Sequence, residues 1–186
     1  TQATSNAIVF DSLRAVCYHD SLRISLNATP SNGRFLGSGV ENSSFNVQKA
    51  GIGRHAIRYE IQLNGGCVVE QTRYLEVKAI PTVSLPKSVT QLKDAPTALN
   101  AQVDNSANYT YQWSPPLGLN DATVLQPMAT APQTTTYILT VTSSNGCSTR
   151  VSIKVIVIDL LFIPDAFSPN GDGTNDQWEI RNIERF

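Results

Sequence analysis

A single offset of 80 residues superimposes a strand, a turn and the following strand of the first half of this chain on the second. Ile57, Tyr59 and Ile61 alternate with polar residues, and Tyr137, Leu139 and Val141 repeat that alternation 80 positions later. The same offset carries Gly66-Cys67 onto Gly146-Cys147, and Leu75 and Val77 onto Val155 and Val157. Upstream the register changes to 73, where Leu26-Asn27-Ala28 resembles Leu99-Asn100-Ala101; a length change in a connecting loop accounts for this, because loops absorb insertions. Period-two alternation predicts half-buried strands. Asn64-Gly65-Gly66 and Asn145-Gly146 supply residues that tolerate positive φ, so each repeat should end in a hairpin.

The expected first repeat has strands near residues 22–28, 34–36, 44–47, 55–63 and 68–77. The second has strands near 82–85, 98–103, 109–114, 124–129, 135–143 and 148–158. Turn signals every 8–12 residues or so are what a β-sandwich shows. Pro, Gly and Asn interrupt the chain too often for a long helix. The fold class is therefore all-β, with tandem sandwiches over residues 1–79 and 80–158 and the first strands of a third β domain over 159–186. Trp113 lies mid-strand with Tyr109 and Tyr111 on the same face, a position for a core side chain.

Charged residues make up 16% of the sequence and the net charge is −1, so the electrostatic footprint of a nucleic-acid binder is missing. The apolar runs 155–158 and 160–163 are far shorter than the roughly 20 residues a membrane-spanning helix needs. Thr1 is not an initiator Met, and the sequence reads as a processed or excised segment. Of the three cysteines, none forms a C-x-x-C pair, which argues against structural zinc. Cys17 and Cys67 are separated by 50 residues, a spacing that suits a bridge between an early and a late strand of one sandwich. Such a bridge would add about 3–4 kcal/mol and imply an oxidising compartment; the alternative is two buried thiols. Cys147 is left over.

Several stretches resemble modules of large Bacteroidetes surface proteins. Val16-Cys17-Tyr18, Gly37-Ser38-Gly39-Val40, Ala50-Gly51-Ile52-Gly53 and Asn64-Gly65-Gly66-Cys67 resemble an Ig-like module of those proteins. Tyr111-Gln112-Trp113-Ser114-Pro115, Gly118-Leu119 and Thr134-Thr135-Thr136-Tyr137 resemble their PKD-like module. The stretch from Phe162-Ile163-Pro164-Asp165-Ala166-Phe167 through Ser168-Pro169-Asn170-Gly171-Asp172-Gly173-Thr174-Asn175-Asp176 is similar to the opening of the gliding-motility-associated C-terminal domain, a type IX secretion signal. There are departures. The PKD-like module often has an early Cys paired with the one after Asn-Gly, and residues 83–101 have none. The family's terminal domain also continues past the point where this sequence stops.

The resemblance implies a non-enzymatic, adhesin-type segment of a secreted or outer-membrane-attached protein. In that reading the sandwiches are rigid spacers and the tail is recognised by the type IX outer-membrane machinery. Two rivals stand beside it: a carbohydrate-binding module of a secreted enzyme, with a surface glycan or protein as ligand, and a filament subunit that donates its C-terminal strands to a neighbour.

One segment has the spacing of a cation loop. With Gly173 at the sixth position of a 12-residue loop, Asn170, Asp172, Thr174 (through its carbonyl), Asp176 and Glu179 fall at positions 3, 5, 7, 9 and 12. That is the ligand spacing of a Ca2+ loop. Ser168 stands at position 1, where Asp is expected, and no helix flanks the loop; the competing reading is a Gly-Asp-Gly turn that needs no metal. A bound Ca2+ would be structural, pinning the start of the terminal domain.

Catalytic constellations are weak. There are two histidines: His19 sits near Cys17, and His55 opens a strand without a nucleophile-elbow context. The carboxylates Asp11, Asp20, Glu41, Glu60, Glu70 and Glu76 are scattered rather than paired for glycoside hydrolysis. Asp11-Ser12-Leu13 and Asp20-Ser21-Leu22 are similar to the Asp-Ser/Thr-apolar motif at which Bacteroidetes O-glycosylate exported proteins, which makes Ser12 and Ser21 candidate acceptors.

Overall fold

The computed structural model describes residues 8–63, 65–104, 108–159, 169, 171, 172 and 177. The chain divides into two compact units between Ile80 and Pro81. Each is a β-sandwich with its own apolar core.

The first unit contains β1 (Val9–Phe10), β2 (Val16–Cys17), β3 (Arg23–Ser25), β4 (Ala28–Thr29), β5 (Arg34–Leu36), β6 (Val40–Glu41), β7 (Ser44–Asn46), the helical turn α1 (Val47–Ala50), β8 (Gly53–Gln62) and β9 (Val68–Lys78). One sheet runs β2-β9-β8-β5, with β2 parallel to β9; β3-β7-β6 forms a second sheet and β1-β4 a two-stranded ribbon. Alternation in β8 turns Ile57, Tyr59 and Ile61 inward, where they meet Leu75 and Val77 of β9 and Phe10, Leu26, Phe45 and Val47 from the other elements. Burying each of these large side chains contributes about 1.5–3 kcal/mol. The strand expected over 44–47 stops at Asn46. Its side-chain oxygen accepts from the Lys49 N–H at 3.2 Å and caps α1, a role for which Asn is among the preferred residues.

The second unit contains β10 (Val83–Ser84), β11 (Ser88–Leu92), β12 (Thr97–Ala98), β13 (Gln102–Val103), β14 (Tyr109–Ser114), β15 (Met128–Ala129), β16 (Thr135–Ser143) and β17 (Ser148–Ile158). Its main sheet runs β11-β17-β16-β14, with β11 parallel to β17; β10-β13 and β12-β15 form two ribbons. Trp113 is fully buried among Leu99, Tyr137, Leu139, Val141, Ile153 and Val155, and its indole N–H donates to the Val124 carbonyl at 2.9 Å. The strand expected over 124–129 shrinks to two residues for a related reason. The segment leading into it closes over the outer edge of β14, where the Trp113 N–H donates to the Ala122 carbonyl at 2.8 Å, and so it does not run as a partnered strand.

Both hairpins close alike. In the first, the Leu63 N–H donates to the Cys67 carbonyl (2.8 Å) and the Gly66 N–H to the Leu63 carbonyl (3.1 Å). In the second, the Ser143 N–H donates to the Cys147 carbonyl and the Gly146 N–H to the Ser143 carbonyl, both at 2.9 Å. Gly66 and Gly146 each have φ of 86°, a conformation that glycine adopts without steric cost.

Candidate functional site

The cysteines depart from the expected pairing. Cys17 and Cys147 are the disulfide-bonded residues, and Cys67 is a free, exposed thiol. The Cys17–Cys67 bridge fails on geometry. Cys17 is registered against Lys78 at one end of β9, whereas Cys67 precedes Val68 at the other. Ten residues of extended strand hold them roughly 33 Å apart, and a disulfide needs Cα atoms within about 7 Å.

The candidate Ca2+ ligands Asn170, Thr174, Asp176 and Glu179 lie outside the described residues. Asp172 is described and exposed. Among the described residues no group of three or more His, Cys, Asp or Glu side chains converges as a metal site. Nor is any helix there long and apolar enough to cross a membrane.

The histidines serve local structure. His19 Nδ1 lies 3.0 Å from the Ser21 hydroxyl and accepts the Ser21 N–H at 3.3 Å, closing a surface turn. His55 donates from Nε2 to the Gly51 carbonyl at 2.9 Å, and its ring packs 5.5 Å from that of Phe45. Both candidate acceptor serines, Ser12 and Ser21, are exposed.

Several carboxylates are engaged by partners of their own. Glu41 pairs with Lys49 and with Arg23 (3.8 Å); the Lys49 ammonium, then the Asn46 amide, hold its carboxyl below the usual range. Asp104 accepts the Tyr109 hydroxyl at 2.6 Å and is lowered by that bond. Asp121 is lowered by Thr123, which donates both its hydroxyl (2.6 Å) and its N–H (2.8 Å). Glu60 takes Arg34 at 2.5 Å and Arg58 at 3.6 Å, and Arg58 also reaches Glu70 at 3.2 Å. This network borders a depression of about 390 Å³ lined by Asn32, Gly33, Ile61 and Gln62 as well as by Arg34 and Glu60. Glu60 and Glu70, registered opposite each other on β8 and β9, are thus tied to arginines on a strand face, an arrangement that stiffens a surface.

No family model matches the chain, and no curated protein does. Solved structures that resemble it include immunoglobulin domains 1–4 of Sidekick-1, at 12% identity over 82% of this chain and 49% of that one, with a TM-score of 0.39. The two tandem V-type regions of VCBP3, a v-region-containing chitin binding protein, match at 10% identity over 81% of this chain and 100% of that one, with a TM-score of 0.38. SGBP-B of the Bacteroides ovatus mixed-linkage glucan utilization locus, solved with a mixed-linkage heptasaccharide, matches at 15% identity over 77% of this chain and 43% of that one, with a TM-score of 0.27. The chain spans less than half the length of Sidekick-1 domains 1–4 and of SGBP-B.

The element order, the paired sheets and the two cores make this chain an all-β tandem of Ig-like sandwiches. Its disulfide belongs to an oxidising, extracellular-type environment.

Proposed function

We propose that this chain is a non-catalytic, adhesin-type segment of an exported bacterial surface protein. The two sandwiches act as spacers, and the tail over residues 159–186 is the beginning of a type IX secretion and surface-attachment signal. The observation that carries the spacer role is that each unit encloses its own core, while the histidines and the Glu41, Glu60, Asp104 and Asp121 carboxylates are committed to turns, caps and cross-strand ion pairs. The tail motif supports the secretion role, and the disulfide supports export. In the exported protein Ser12 and Ser21 are O-glycan acceptors, and Ca2+ bound through Asn170, Asp172, Thr174, Asp176 and Glu179 pins the tail.

The experiment is export of the parent protein in a type IX-competent host, with and without residues 159–186. The intact protein reaches the cell surface, and the deletion accumulates in the periplasm. Equal surface display of both would refute the secretion role. Intact mass and glycan-specific staining of the secreted form test the serines. Calcium titration of the wild type against D172N/D176N tests the ion, with saturable binding expected only in the wild type.

A further inference from the structure

The two sandwiches dress the outward faces of their long-strand sheets differently. On the first, positive charge is matched in place: Arg34 and Arg58 pair with Glu60 and Glu70, and the Arg54 guanidinium lies 3.9 Å from the centroid of the Tyr74 ring. On the second, β11, β14, β16 and β17 contain no Asp or Glu at all. Alternation turns Tyr137, Leu139, Val141, Ile153 and Val155 into the core, so the even-numbered positions face out. Strand register then builds rows across the sheet. Gln112, Thr140 and Arg150 align in one row and Thr136, Lys154 and Ser88 in another. Of these six, only Thr140 is more than lightly covered. Among the described residues neither Arg150 nor Lys154 makes an ion pair.

We propose that this face binds an acidic polysaccharide. Arg150 and Lys154 lie on one strand four residues apart, roughly 13 Å, and each offers to a carboxylate-bearing polymer a cation that no carboxylate among the described residues pairs. Between them lies the row Ser114, Ile138 and Ser152, in which the half-exposed Ile138 offers an apolar patch to a sugar ring; the Ser and Thr hydroxyls and the Gln112 amide around it exchange water for sugar hydroxyls without adding charge. The face is a broad sheet with strands roughly 4.8 Å apart, suited to a polymer lying across it. A single-stranded nucleic acid would need outward aromatic rings for its bases. The aromatics of these strands, Tyr109, Tyr111, Trp113 and Tyr137, are instead at inward positions. The proposal goes beyond the spacer role and does not depend on the secretion signal.

The test is calorimetric titration of the full chain with polygalacturonate, dextran and poly-L-glutamate. Polygalacturonate binds, more weakly as salt rises, and dextran does not. Arg150→Ser/Lys154→Ser weakens binding roughly tenfold or more, whereas Arg34→Ser/Arg54→Ser on the first sandwich leaves it within about twofold. Thermal unfolding checks that each variant is folded; Lys154→Gln alone, on an exposed side chain, weakens binding in the same direction by a few-fold. No binding to polygalacturonate, binding that survives loss of both cations, or equal weakening by the first-sandwich variant overturns the proposal. Poly-L-glutamate binding as tightly as polygalacturonate also overturns it, since recognition would then rest on charge without sugar.

Discussion

Cys67 and Cys147 hold the same place in the two hairpins, each accepting a backbone hydrogen bond from the residue four positions earlier, yet Cys67 is an exposed thiol and Cys147 is fully buried and disulfide-bonded. Thiol reagents should tell them apart. Without reductant, the folded chain takes up one maleimide, at Cys67; denaturation alone adds none, and denaturation with reductant exposes two more sites. Peptide mapping checks the positions. Label on Cys17 or Cys147 before reduction would contradict the assignment.

Gln91 is almost fully buried and replaces a strand neighbour for Ala131. Its amide donates to the Ala131 carbonyl and accepts the Ala131 N–H, both at 2.9 Å. Gln91→Leu keeps the volume but orphans both backbone groups away from water. Each orphan costs about 1–3 kcal/mol, so urea unfolding should show the second sandwich destabilised by about 2–6 kcal/mol. A loss under about 1 kcal/mol would mean that water or a shifted backbone satisfies Ala131.

Gly33 is required for close approach. A Cβ there would sit 2.4 Å from the Glu60 carbonyl oxygen and 2.5 Å from both Ile61 Cγ2 and the Tyr59 ring. The Gly33 N–H also donates to the Tyr59 hydroxyl at 2.7 Å, and that hydroxyl donates to the Pro30 carbonyl. Gly33→Ala should therefore displace β5 from β8 and destabilise the first sandwich by about 1–3 kcal/mol. Its unfolding midpoint should fall while the transition of the second sandwich stays put, as followed by the near-ultraviolet signal of Trp113. Unchanged stability would mean the loop moves aside at no cost.

Much of this fold is legible in the sequence because its long strands alternate cleanly. Residues 34–36, 109–114, 135–143 and 148–158 form strands with those bounds. The short strand 34–36 is found, but other short strands escape for a physical reason. β11 holds five residues with a Gln at its buried position, and nothing in Ser88-Val89-Thr90-Gln91-Leu92 reveals that Ala131, 40 residues on, will satisfy that amide. Spacing along the chain does not say which end of β9 a cysteine occupies, so sequence alone points Cys17 to the wrong partner. The polar half of β17 is visible in the sequence, but the missing counter-charge beside Arg150 and Lys154 becomes visible only once register lays the four strands together.

Tyr137 ties stability to alkaline pH. It is fully buried, its hydroxyl donates to the Leu117 carbonyl at 2.8 Å, and burial pushes its pKa above the ordinary tyrosine value. A phenol whose folded pKa is raised binds its proton more tightly in the folded state than in the unfolded one. Its contribution is fully present below the unfolded pKa of about 10 and is lost as pH rises through the folded value. Tyr18 is raised as well, chiefly by its hydrogen bond to Asp20, but it is only partly buried and belongs to the first sandwich, so it does not report on the second. Chemical denaturation at stepped pH should thus show the second sandwich weakening above about pH 10. Tyr137→Phe should be less stable at neutral pH by about 1 kcal/mol, for want of the Leu117 bond, and lose less as the solution becomes alkaline. Parallel pH profiles for the two proteins would mean that another group drives the alkaline transition.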